Sequence, residues 1–166
     1  MLPILLAAAV VISAPAQLRA VDVARPAPVV VSTRTPAVDD NEHIAKARKA
    51  LEVGDFDMAR REFVIAAALD RDAGRLPTEA VFGLANTLYS LSYTREAAIV
   101  MNRLAEEASE AGDKNTEAKA LADAMWLNFE SGQRVQGRAD GARLRTLLKD
   151  SSLSASTKEY VKSRTR

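Results

Sequence analysis

Gly54-Asp55-Phe56-Asp57-Met58-Ala59, continued by Phe63, Ala66, Leu69 and Asp70, is the stretch on which the reading of the fold turns. Phe56, Ala59, Phe63 and Ala66 lie three or four positions apart, so they form one stripe on a helix. Before the glycine, Ile44, Ala47, Ala50 and Leu51 form a second stripe, and Asp39 with Glu42 has the spacing of a capping box at its start. Two amphipathic helices joined by little more than Gly54-Asp55 make an antiparallel pair. The composition agrees. In 166 residues, apolar types make up 48% but aromatics only 5%, a balance that favours helices packed through small side chains over a sheet.

The order Gly, acidic, aromatic, two variable positions, Ala, then Phe four later and Ala three later resembles the second half of a tetratricopeptide repeat. In that family the small residue at Ala59 lets two helices approach, and Phe63 fills the gap to the next pair. The family's first helix prefers a bulky aromatic and Leu-Gly, where this chain has His43 and Lys46-Ala47. The next unit reproduces the first-helix pattern with Val81, Leu84, Ala85, Leu88 and Tyr89, opened by Thr78 as the expected N-cap. Its second helix carries Ala97, Met101 and Leu104. Ala97 follows Ala59 by 38 positions, against a family period of about 34, and the surplus fits the loop Asp72 to Pro77.

A third unit is degenerate. Leu121, Ala124, Met125, Asn128 and Phe129 share one side of a helix expected from about Asn115 to Ser131, with Gly132 at the turn. Gly137 and Gly141 then each weaken the second helix by about 1 kcal/mol relative to Ala, leaving an ordered helix centred on Leu144, Leu147 and Leu148. Ser156 to Glu159 forms a capping box for a short final helix with Tyr160 and Val161, expected to cover the end of the stack. The fold class expected is therefore all-α: antiparallel helix pairs stacked as a short, tetratricopeptide-like α-solenoid over residues 39–150, with a basic tail over 151–166.

The N-terminal part reads as an address. Leu2 to Ala14 is almost wholly apolar, shorter than the ~20 residues that span a bilayer, and Ala14-Pro15-Ala16 is a small-x-small cleavage pattern. Residues 1–16 are expected to be a signal peptide cut between Ala16 and Gln17, giving a periplasmic or secreted protein. Residues 17–38, with Pro26, Pro28, Pro36 and Val29-Val30-Val31, read as a linker.

Composition excludes several chemistries. With no Cys there are no disulfides, thiol nucleophile, Cys-based zinc site or lipoprotein anchor. The net charge is +1, although from Arg138 onward eight Lys or Arg stand against three Asp or Glu. Such a tail reads as a solvated helix face rather than a nucleic-acid site. The single His43 beside Asp39 and Asp40 is expected to be structural, not a metal ligand. Glu106-Glu107, Glu110 and Asp113 read as a solvated face rather than acid–base machinery. No enzyme, cofactor, metal or small-molecule substrate is expected.

The resemblance implies a concave groove lined by the first helix of each pair. It places Ile44, Arg48 and Leu51 there from unit one, Phe82, Asn86 and Tyr89 from unit two, and Ala122, Trp126 and Phe129 from unit three. Gly54, Phe56, Ala59, Phe63, Ala66, Leu84, Ala85, Ala97 and Met101 are the repeat-packing positions. Some members of the family grip a C-terminal carboxylate, but here only Asn86 and Arg48 suit that task. An extended peptide or partner helix held by apolar contacts fits better. The functional expectation is an exported protein–protein adaptor of the bacterial envelope. Its alternatives are a homo-oligomeric module and a membrane-surface protein that keeps its N-terminal segment and uses its basic C-terminus on lipid.

Overall fold

The computed structural model describes residues 39–165; the expected signal segment and linker lie outside the described residues. Seven helices follow one another: α1 (Asp39–Glu52), α2 (Phe56–Asp72), α3 (Thr78–Ser90), α4 (Thr94–Glu110), α5 (Lys114–Glu130), α6 (Arg134–Leu147) and α7 (Ala155–Arg164). The first six form three successive pairs, each packed on its neighbours, and among the described residues there is no strand. This is the all-α helical-repeat architecture expected.

Each pair turns on the same local geometry. After α1, Gly54 takes φ 77°, after α3 Ser92 takes φ 65°, and after α5 Gly132 takes φ 78°. In each turn the following residue donates its N–H five residues back: Asp55 to Ala50, Tyr93 to Leu88, Gln133 to Asn128. A left-handed residue at the helix end thus supplies partners for orphan carbonyls. Gly74 and Gly112 close α2 and α4 in the same way. Asp55 and Asp113 then cap α2 and α5, accepting from Met58 N–H, and from Asn115 and Thr116 N–H.

The core is made chiefly of alanine. Ala47, Ala59, Ala66, Ala97 and Ala105 have no exposed surface, and Phe63, Met101, Leu104 and Leu121 fill the space between them. Of the other positions assigned to packing, Leu84 and Ala85 are buried and Phe56 is half-buried. Gly54 has open space around it and serves the turn rather than the packing.

Caps differ in detail from the sequence expectation. Thr78 is the first residue of α3; Pro77 occupies the cap without a side-chain bond, its carbonyl accepting from Val81 N–H. Helix α7 is capped by Ser154, whose hydroxyl accepts from Thr157 N–H at 3.1 Å, two residues before the expected box. The Ser154 N–H is itself held by Asn115 at 2.9 Å, which fixes where α7 starts. Helix α1 is described only from Asp39, so the box expected there falls at the edge of the described residues.

Helix α6 runs unbroken through Gly137 and Gly141, and both glycines are buried. Counted from the turn, Gly141 stands where Phe63 and Met101 stand in the earlier pairs, while Met125 stands where Ala47 and Ala85 stand. The large and small partners have changed helices. A Cβ on Gly141 would lie 2.9 Å from the Met125 sulfur, and one on Gly137 3.2 Å from the Phe129 ring. The glycines therefore admit side chains from α5, which offsets their low helix propensity.

Candidate functional site

The residues assigned to the groove sit in corresponding places of α1, α3 and α5, but the structure gathers only some of them. Tyr89 of α3 and Trp126 of α5 meet with ring centroids 5.0 Å apart, tilted by 58°. With Asn86, Ala85, Leu127 and Asp123 they line a recess of about 80 Å³. Tyr89 is 43% exposed, so the wall of the recess offers aromatic surface to solvent.

Arg48, Leu51 and Phe129 lie elsewhere. Arg48 pairs with Glu79 of α3 across an exposed contact, and Leu51 packs against the core. Phe129 covers Gly137 of α6 with part of its ring exposed. Ile44 and Ala122, expected in the groove, are buried core residues.

Phe82 is half-buried because α7 covers it. The Tyr160 ring meets Phe82 edge-on, with centroids 6.3 Å apart and planes at 89°. Helix α7, expected to close the end of the stack, lies along α5 and runs in the same direction. Ser154 sits at Asn115, while Tyr160 and Arg164 sit at Asp123. The recess is thus closed on one side by Arg164.

Asp123, which no sequence motif marks, is the centre of this contact. It is only 7% exposed. One carboxylate oxygen accepts the Tyr160 hydroxyl at 2.8 Å, and the other lies 3.0 Å from Arg164 Nε. The Arg164 N–H is not aimed at that second oxygen, which is left without a hydrogen bond. Arg164 also stands 5.6 Å from the Tyr160 ring centre, in cation–π range. Burial pushes the Asp123 carboxyl above the usual carboxylate range, against the opposing pull of Tyr160 and Arg164. Burial, reinforced by the Asp123 charge, raises the Tyr160 phenol to about 12. The one available signal was an acid set within Leu121-Ala122-Asp123-Ala124-Met125, an otherwise apolar turn of helix.

The other charged clusters hold the fold together. Glu107 accepts from Arg71 of α2 at 2.9 and 3.2 Å and from Arg103 at 2.9 Å. Glu117, 5% exposed, accepts from Arg143 of α6, which also reaches the Ala105 carbonyl of α4 at 3.3 Å. His43 Nδ1 lies 2.6 Å from Glu62. Among the described residues no group of three or more His, Asp or Glu is placed to hold a metal ion. No helix of the described residues is long and apolar enough to cross a membrane.

In comparisons with known proteins, the chain matches no protein-family model, no curated protein and no solved structure.

Proposed function

We propose that this chain is a tetratricopeptide-type adaptor, exported to the bacterial envelope, that receives a peptide or helix of a partner protein on the side formed by α3 and α5. The observation that carries the reading is the Tyr89–Trp126 pair beside a small apolar recess. Partly exposed aromatic side chains on rigid helices supply contact area at little entropic cost and dominate binding hot spots. The apolar run before Ala16 and the small-x-small pattern at its end support export.

The test is affinity capture from the native host with the tagged full-length chain, beside a Tyr89→Ala/Trp126→Ala variant. The expected result is a stoichiometric protein partner lost in the variant while helicity is kept, on a chain whose mature N-terminus is Gln17. A partner retained by the variant would remove this side of α3 and α5 from the reading, and an intact Met1 in the membrane fraction would overturn export in favour of an anchored protein.

Self-association has its own support. Val53, Met58, Val64 and Ile65 of the α1–α2 pair are exposed apolar side chains, with Val53 75% exposed. End units of a short stack commonly need covering. A mass that rises with concentration, and is reset by Val64→Lys/Ile65→Lys, is the expected sign of it; a monomeric mass at all concentrations excludes it.

A further inference from the structure

We propose that Asp123 is a receptor for a basic side chain on a helical partner segment, and that the chain's own α7, through Arg164, occupies this receptor until the partner displaces it. The inference rests on the groove reading above and adds the chemistry of the ligand and a built-in competitor.

The repeat itself does not call for an acid at Asp123, whose only partners among the described residues are on α7. Counted from the turn of each pair, its place is held by Ala45 in α1 and by Gly83 in α3, both uncharged. A carboxylate kept nine-tenths buried is costly unless a cation and hydrogen-bond donors meet it. Here they come only from α7, and the arrangement is incomplete. Tyr160 satisfies one oxygen, while Arg164 stands near the other without directing an N–H at it. An arginine approaching from the recess side could present its planar fork to both oxygens and stack on Trp126 or Tyr89. Asn86 at the rim would accept or donate to the partner's backbone.

Helix α7 has the properties of a displaceable occupant. It is ten residues long, and only Thr157 and Val161 are fully buried. Helices this short have little stability of their own, so α7 is ordered by its docking. Its other side-chain contacts with α3 and α5 include the half-buried Tyr160 ring and the exposed Arg164, and its cap Ser154 is held by Asn115. Elements held by so few apolar contacts open at the low end of a protein's range of local stabilities. The seated helix also states the ligand's pattern: an apolar residue at the place of Val161, an aromatic at Tyr160, a cation at Arg164.

A fluorescent peptide of residues 153–165 serves as the probe, added to the full-length chain and to full-length Tyr160→Ala/Val161→Ala. Anisotropy is expected to show binding at least tenfold tighter to the variant, because its own α7 no longer competes. Asp123→Asn added to that variant, or Arg164→Ala in the peptide, should weaken binding at least tenfold. Equal binding to wild type and variant, or indifference to Asp123→Asn, overturns the proposal. If the double variant fails to fold, hydrogen exchange on the wild-type chain decides. Amides of Val161 to Arg164 should exchange at least tenfold faster than those of Leu121 to Ala124, and protection equal to α5 overturns the proposal. Peptide binding as expected with no Trp126-dependent partner in the host leaves the receptor standing and removes the adaptor reading. A Trp126-dependent partner with no effect of Asp123→Asn does the reverse.

Discussion

Ser92 is the only non-glycine among the described residues with positive φ, at 65°, in a turn where its two counterparts are Gly54 and Gly132. A left-handed conformation costs an L-residue about 1 kcal/mol or more, whereas glycine takes it freely. Ser92→Gly should therefore raise stability by about 0.5 kcal/mol, after the glycine's greater unfolded-state entropy is set against the relieved strain. Urea denaturation checks it, and a loss of stability would mean that the serine side chain holds the turn. Gly83 shows the opposite constraint. A Cβ there would lie 2.3 Å from the tip of the Phe63 ring, which is buried. Gly83→Ala should cost about 2 kcal/mol net, overpacking outweighing the gain in helix propensity; an unchanged midpoint would disprove the contact. The apolar stripe marks Ala85 as the small residue of this helix and leaves Gly83 unmarked. The reason for that glycine is a ring twenty positions earlier in the chain, which leaves no local mark.

Helix faces were legible where a stripe stood out, as in α2, α3 and α4. Helix α6 was not, because its two glycines read as weakness until Met125 and Phe129 are seen to lie against them. Joining of the pairs depends on polar bridges that no periodicity reveals. Glu117 is buried, and its cation is Arg143, one helix further on. Arg143→Ala strands that carboxylate and should cost about 3 kcal/mol, read as a drop in denaturation midpoint; a change under about 0.5 kcal/mol would show the pair to be ornamental. Docking of α7 carries a pH signature. The Tyr160 phenol ionises at about 12 when docked, above its ordinary value of 10. Its contribution is therefore intact below pH 10 and is lost as pH rises towards about 12. In a Tyr89→Phe/Tyr93→Phe chain, phenolate absorbance should titrate with a midpoint near 12. A midpoint at 10 would mean that Tyr160 is not buried against Asp123.

Among the described residues, helices touch mainly their sequence neighbours, and the contacts of α1 with α3 and of α5 with α7 are the main ones beyond them. Stability in such a stack is close to a sum over adjoining units. The largest interface joins α4 to α5, and α1 has only α2 and α3 to lean on. Native-state hydrogen exchange should find α4 and α5 the last to open and α1 among the first, through openings smaller than global unfolding. A single exchange free energy for all helices would show one cooperative unit instead. The all-α stack was readable because the first two pairs repeat the same short-range pattern. The course of α7 was not, since an amphipathic helix states that it must cover something but not which surface.

The Tyr89–Trp126 contact has an optical consequence. Trp126 is the sole tryptophan in the chain, it lies 5.0 Å from Tyr89, and it borders the recess that Arg164 closes. Its emission is a label-free gauge of that recess, excited through a tyrosine held within efficient energy-transfer distance. Departure of α7 should redden the emission as water enters, arrival of an apolar ligand should turn it blue, and the two events can be followed in one cuvette without attaching a dye.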